Sequence, residues 1–94
     1  MKEKAIEQKL VQEVKKQGGI CPKFISPGTN GMPDRLVLLP EQHMGFVEVK
    51  APDKKPRELQ LYRHEQLRKL GYKVSVLDAP EQITNILAEI KEDQ

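Results

Sequence analysis

Residues 31–51 read Gly31-Met32-Pro33-Asp34-Arg35-Leu36-Val37-Leu38-Leu39-Pro40-Glu41-Gln42-His43-Met44-Gly45-Phe46-Val47-Glu48-Val49-Lys50-Ala51. Two apolar, β-branched-rich runs, 35–39 and 45–51, are separated by a segment that opens on proline, which predicts an antiparallel hairpin with a medium-length loop and largely buried strands. Charges break the apolar pattern at chosen places. Asp34 stands at the entrance to the first strand, where aspartate is a poor strand former. In the second strand, period-two geometry sends Glu48 and Lys50 to one face and Val47, Val49 and Ala51 to the other. If Leu36 pairs with Glu48, Asp34 lies across from Lys50 and all three charges share a face; a slip of one residue would turn Asp34 away.

Working outward, residues 3–17 carry Ile6, Leu10 and Val14 at helical spacing, with Val11 as a second row, and Gly18-Gly19 supplies the stop. Residues 20–25 read as a short strand in which Pro22 cannot donate to a ladder, so it belongs at a sheet edge or a bulge. Residues 26–33 hold two prolines, two glycines and an asparagine and form a loop. Beyond the hairpin, Pro56 opens a helical pattern with Leu59, Tyr62, Leu67 and Leu70 inward and Gly71 as its stop. Residues 72–77 supply a further strand. Asp78 with Glu81 suggests a capping box for a last helix, whose stripe is Ile83, Ile86, Leu87 and Ile90. The order is αβββαβα, an α/β fold with four strands and a C-terminal helix.

The 94 residues suit one compact domain, 1–94, and are too few for two. The single Cys21 cannot form an internal disulfide, and no charged-then-apolar leader is evident, so a soluble protein in a reducing, cytoplasmic setting is expected. No apolar run approaches the roughly 20 residues that span a bilayer. Sixteen basic residues against 14 acidic ones give a net charge of only +2, so any nucleic-acid partner must be argued from charge placement. Lys50, Lys54, Lys55 and Arg57 fall in one stretch, followed by Arg63, Arg68 and Lys69.

Glu7 projects from the apolar side of the first helix, three, four and seven residues before Leu10, Val11 and Val14. Such a carboxylate either reaches water at the rim, meets a cation, or faces a functional site. Glu48 and Lys50, taken alone, also fit an ordinary salt bridge, but the apolar residues around them predict a covered face, and buried charge is a weak source of stability. Asp34 and Glu48, with the Val49 carbonyl and Glu7, make an oxygen-rich donor set suited to Mg²⁺ or Mn²⁺. Such an ion polarises a phosphate oxygen and activates water, while an ammonium such as that of Lys50 neutralises developing charge. Cys21, His43 and His64 lack zinc-ligand spacing.

Pro33-Asp34 followed by Glu48-Val49-Lys50 resembles the Pro-Asp, Asp/Glu-x-Lys signature of restriction-endonuclease-like enzymes. Together with Glu7, Gly31-x-Pro33-Asp34 and Gln60, the pattern resembles the virus-type replication-repair nuclease (VRR-NUC) family, stand-alone phage or bacterial type. The resemblance implies a restriction-endonuclease-like αβββαβ core with a central mixed four-stranded sheet flanked by helices, and a Mg²⁺- or Mn²⁺-dependent endonuclease. Asp34 and Glu48 would be metal ligands, Lys50 the catalytic lysine, and Glu7 and Gln60 supports of the metal or its waters. It further implies a homodimer acting on branched DNA such as four-way junctions, in the bacterial cytoplasm or a phage-infected host. Read without the family, Gln60 fits a solvent-facing helix position equally well. Ser26, Thr29 and Asn30 in the loop, and Lys54, Lys55 and Arg57 after the strand, are the candidate DNA-backbone contacts. The rival expectations are a non-catalytic DNA-binding module, alone or as a subunit of a repair or replication assembly, and a structural protein in which Glu48 simply pairs with Lys50.

Overall fold

The computed structural model describes residues 2–92. Its elements are α1 (Glu3–Lys16), β1 (Arg35–Leu39), β2 (His43–Val49), α2 (Glu58–Lys69), β3 (Val74–Leu77), a 3₁₀ turn (Pro80–Gln82) and α3 (Ile83–Ile90). Both glycine stops act as read. Gly18 at φ +87° ends α1, with Gly19 N–H donating to the Val14 carbonyl and Gly18 N–H to that of Lys15. Gly71 at φ +98° ends α2 with the matching pair of bonds from Tyr72 to Leu67 and from Gly71 to Arg68. These paired bonds satisfy carbonyls that a helix end leaves open.

The sheet has three strands in the order β1-β2-β3, antiparallel then parallel, rather than the four expected. The segment read as a strand at 20–25 touches β1 only through isolated bridges, Ile20 with Leu38 and Lys23 with Arg35. Pro22 is the reason. Its carbonyl accepts from Leu36 N–H at 3.0 Å, but it has no N–H to return, so the ladder is cut between the two bridges.

The hairpin register also differs from the expected one. Leu36 faces Phe46, not Glu48, and Val37 faces Gly45. Glu41 and Gln42 both adopt φ +66°, so the chain reverses tightly after Pro40 and β2 starts at His43. The displacement is even, so every side chain keeps its face. Continued past the ladder, this register sets Asp34 beside Glu48 instead of Lys50.

Val37, Leu39, Val47, Val49 and Leu77 form one face of the sheet, covered by Ile6, Leu10 and Val14 of α1 and by Ile83, Ile86, Leu87 and Ile90 of α3. Phe46 and Val74 face the other way, onto Leu67 of α2, with Phe24, Met32, Leu36 and Met44 around them. Here α2 departs from its predicted orientation. Its buried residues are Gln60, His64 and Leu67, whereas Leu59, Tyr62 and Leu70 are exposed. The box before α3 also uses a different partner: Gln82, not Glu81, accepts from Asp78 N–H at 2.9 Å and donates to the Asp78 carboxylate at 2.8 Å. Among the described residues no helix is long and apolar enough to cross a membrane.

The tight seam where α1 hands over to the edge segment gives a direct test. A Cβ on Gly19 would lie 2.2 Å from the Leu38 carbonyl oxygen, whereas one on Gly28 would meet nothing within 4 Å. Gly19→Ala should therefore lose about 1–3 kcal/mol in denaturant titration, and Gly28→Ala should match wild type.

Candidate active site

The site begins with Glu48, which is 3% exposed in the middle strand on the α2 side of the sheet. A carboxylate there requires polar partners. Gln60 and His64 supply them from consecutive turns of α2. Gln60 Nε2 donates to Glu48 Oε2 at 3.3 Å, and Gln60 Oε1 accepts from Arg57 N–H at 2.8 Å, which fixes the orientation of the amide. His64 Nε2 lies 3.3 Å from Glu48 Oε1. Burial, followed by the charges of Arg68 and Lys50, pushes the His64 pKa down, which favours the neutral ring. Its Nδ1 has no hydrogen-bond partner among the described residues. We therefore assign the proton to Nε2, which donates to Glu48 and leaves only a lone pair unmatched at Nδ1.

Asp34 arrives from the loop beside this group. Its Oδ1 accepts from Val49 N–H at 3.1 Å. Its backbone carbonyl accepts from Phe24 N–H at 2.9 Å, and Pro33 before it is fully buried, so the residue is anchored through its backbone as well as its carboxylate. Burial raises the Asp34 pKa, the Val49 N–H opposes the shift, and the charges of Glu7 and Glu3 add to it. Glu48 is pushed up to about 7 by burial first and the Asp34 charge second, with Lys50 opposing and smaller influences from Glu3 and Arg57. Both carboxylates have raised pKa values, Glu48 partly through the charge of Asp34 and Asp34 partly through those of Glu7 and Glu3, which marks a site short of positive charge.

Lys50 follows β2 directly, anchored by its N–H to the Leu77 carbonyl at 2.8 Å, and its ammonium acts electrostatically on both Glu48 and His64. Glu7 meets a cation, one of the three outcomes its position allows. Its Oε2 accepts from Arg35 Nε at 2.8 Å, and Arg35 also donates to the Cys21 carbonyl at 2.7 Å. Glu7 thus reaches the edge of the site from the α1 layer with a cation already attached. Among the described residues no group of three or more His, Cys, Asp or Glu is close enough to hold a metal ion. The protein oxygens that stand together are those of Asp34 and Glu48.

A solved structure of a VRR_NUC domain matches this chain with a TM-score of 0.86 at 34% sequence identity, over 94% of this chain and 96% of that one. The chain belongs to the VRR-NUC family. Over 90 residues it is also 49% identical to "Putative nuclease p44" of Acyrthosiphon pisum secondary endosymbiont phage 1, a match that covers 96% of each chain. No family model matches the sequence.

Around this VRR-NUC centre, Lys54, Lys55 and Arg57 are exposed on the segment leading into α2, and Arg57 acts electrostatically on Glu48. The loop carrying Ser26, Thr29 and Asn30 is fastened to α2, because Arg63 donates to the Asn30 carbonyl at 3.0 Å and Gly31, at φ +82°, packs against Leu59. Sequence reading missed three participants. His64 stands four residues after Gln60, the spacing that puts both on one helix face. Arg35 shares its strand face with Val37 and Leu39, hence with α1, where Glu7 needed a cation. Glu3 precedes Glu7 by one turn.

The raised Glu48 pKa fixes the sign of a pH effect. The folded metal-free protein holds a proton there between the ordinary glutamate value and about 7, so this group's contribution to stability falls as pH rises through that window. Glu48→Gln should abolish that fall and exceed wild-type stability at about pH 8 while matching it at about pH 5, by denaturant titration in chelator. Parallel profiles for the two proteins would show that Glu48 is not the group that titrates.

Proposed function

We propose that this VRR-NUC protein is a Mg²⁺- or Mn²⁺-dependent endonuclease that hydrolyses DNA phosphodiester bonds, with branched DNA such as four-way junctions as its substrate. The observation that carries the proposal is the juxtaposition of the Asp34 carboxylate, the buried Glu48 carboxylate and the Lys50 ammonium, on a scaffold that matches a VRR_NUC domain. The phage relative's printed name supports the same class of activity.

The donor set fits a hard divalent cation. Two adjacent carboxylates with raised pKa values are short of positive charge, and Mg²⁺ is commonly held by one or two carboxylates plus waters and substrate phosphates. Asp34 and Glu48 would hold the ion with the Val49 carbonyl, and Glu7 would act on its waters from the far side of Arg35. When bound, such an ion polarises a phosphate oxygen and lowers the pKa of an attached water.

The chain's own groups supply the rest. Gln60 and His64 hold both Glu48 oxygens so that the carboxylate presents a fixed edge, and Val49 N–H does the same for one oxygen of Asp34. The Lys50 ammonium orients the attacking water or neutralises charge gathering on the phosphate. Lys54, Lys55 and Arg57, with Ser26, Thr29 and Asn30 on the facing loop, hold the sugar–phosphate backbone. A homodimer, in which two sites address two strands of a junction, belongs to the same reading. So do action as a single domain over residues 1–94 and residence in the cytoplasm. Leu61, Tyr62 and Leu70, exposed on and just after α2, support the dimer.

Cleavage of end-labelled four-way junction, flap, duplex and single-stranded DNA, with Mg²⁺, Mn²⁺ or chelator, tests the proposal. Wild type should cut only with metal and cut the junction fastest. Lys50→Ala and Glu48→Ala should each slow cutting by about 10²–10³-fold or more, with DNA affinity of Lys50→Ala within a few-fold of wild type. Unchanged cutting by Lys50→Ala would remove Lys50 from the mechanism, and binding without cutting under every condition would favour a DNA-binding module.

A further inference from the structure

On the α1 side of the sheet, an open cleft of about 500 Å³ runs between α1 and the edge segment that precedes β1. Lys4, Gln8, Val11 and Gln12 line it from α1, Lys23 lines it from the edge segment, and the Glu7–Arg35 pair completes it. Lys4, Gln8 and Gln12 recur at every fourth position and so form one stripe along the helix. At about 1.5 Å per residue this stripe covers about 12 Å, which equals three to four nucleotide steps at about 3.4 Å each along one strand.

The electrostatics of the cleft are one-sided. Arg35 is charge-paired with Glu7 through Nε and donates through Nη1 to the Cys21 carbonyl, so it pins the wall with its charge neutralised. Lys4 and Lys23 are exposed and have no side-chain partner among the described residues, so two ammonium groups face the cleft unneutralised. The amides of Gln8 and Gln12 add N–H donors between them. Glu7 in its wall acts electrostatically on Asp34, and Arg35 in the same wall directly follows Asp34 in the chain, so the cleft lies across the β1 edge of the sheet from the carboxylates.

We propose that this cleft binds the phosphate backbone of the nucleic-acid strand as it leaves the Asp34–Glu48 site, with Lys4 and Lys23 as phosphate contacts and Gln8 and Gln12 as hydrogen-bond donors to phosphate oxygens. The inference rests on the nuclease reading and deepens it by assigning a subsite on α1, separate from Lys54, Lys55 and Arg57. A strand that occupied only the carboxylates would leave both lysines without a role, whereas a continuous backbone reaches them directly.

The test is duplex and junction binding by fluorescence anisotropy in chelator, at salt from about 50 to about 200 mM, for wild type, Lys4→Ala/Lys23→Ala and Lys9→Ala/Lys16→Ala. The last pair lines a different cleft, between α1 and the start of α3. Loss of two phosphate contacts lowers the slope of log affinity against log salt by about 1.8. The fourfold salt increase should therefore weaken the Lys4/Lys23 variant about 12-fold less than wild type. In Mg²⁺ its KM should rise while kcat holds, and the Lys9/Lys16 variant should behave as wild type. A wild-type slope for Lys4→Ala/Lys23→Ala, or an equal loss in the Lys9/Lys16 pair, would overturn the subsite while leaving the nuclease intact. Displacement of DNA by inorganic phosphate at matched ionic strength would also overturn it, by pointing to a small-anion site. Absence of any DNA binding by wild type would overturn the nuclease reading and the subsite together.

Discussion

A carboxylate buried in the middle strand of a three-stranded sheet is the constraint around which the rest is arranged. Glu48 lies beneath α2 with 3% of its surface exposed, and an unpartnered charge there would cost far more than one apolar contact returns. The helix answers by turning a polar edge inward. Gln60 and His64 occupy positions that leucines would otherwise fill, and Leu59, Leu61, Tyr62 and Leu70 are left on the surface as a result. What is lost in apolar burial is recovered as a carboxylate whose two oxygens are each held by a donor.

The two faces of the sheet divide the labour. On one side α1 and α3 make an apolar core with Val37, Val47, Val49 and Leu77 that sets the hairpin rigidly. On the other, Phe46 and Val74 meet Leu67, and the polar centre sits beside them. Asp34 joins from the loop side because the even register of the hairpin keeps it on Glu48's face and a β2 backbone N–H captures its carboxylate. Arg35 points to the opposite face and ties Glu7 and the Cys21 carbonyl together, so two successive residues serve two layers. The Cys21 thiol, pushed up to about 11 by burial, remains protonated and inert beside them.

Much of this was legible in the sequence, for reasons specific to each element. The glycine stops at Gly18 and Gly71 and the stripes of α1 and α3 follow from local chemistry. The shared face of Glu48 and Lys50 follows from a period of two, which an even change of register cannot disturb. Three features depended on information that spacing does not carry. The fourth strand failed because a single missing N–H at Pro22 cuts a ladder that composition alone supports. The loop is tighter than expected because Glu41 and Gln42 adopt left-handed conformations, unusual for their residue types. The rotation of α2 was hidden because Leu59, Tyr62 and Leu70 stand at helical spacing on the face the structure exposes, and only the demand of Glu48 turns Gln60 and His64 inward instead. The pairing of Glu7 with Arg35 was open to inference from strand alternation.

Calorimetric titration of Mn²⁺ into the metal-free protein at about pH 6, in buffers of different ionisation enthalpy, tests most directly the claim that Glu48 is a buried, proton-holding carboxylate built to exchange that proton for a metal ion. Metal binding that requires a deprotonated ligand releases protons. The account predicts release of close to one proton per Mn²⁺ at about pH 6, almost none at about pH 8.5, and loss of binding in Glu48→Gln. Binding with no proton release at either pH, or undiminished affinity in Glu48→Gln, would contradict it.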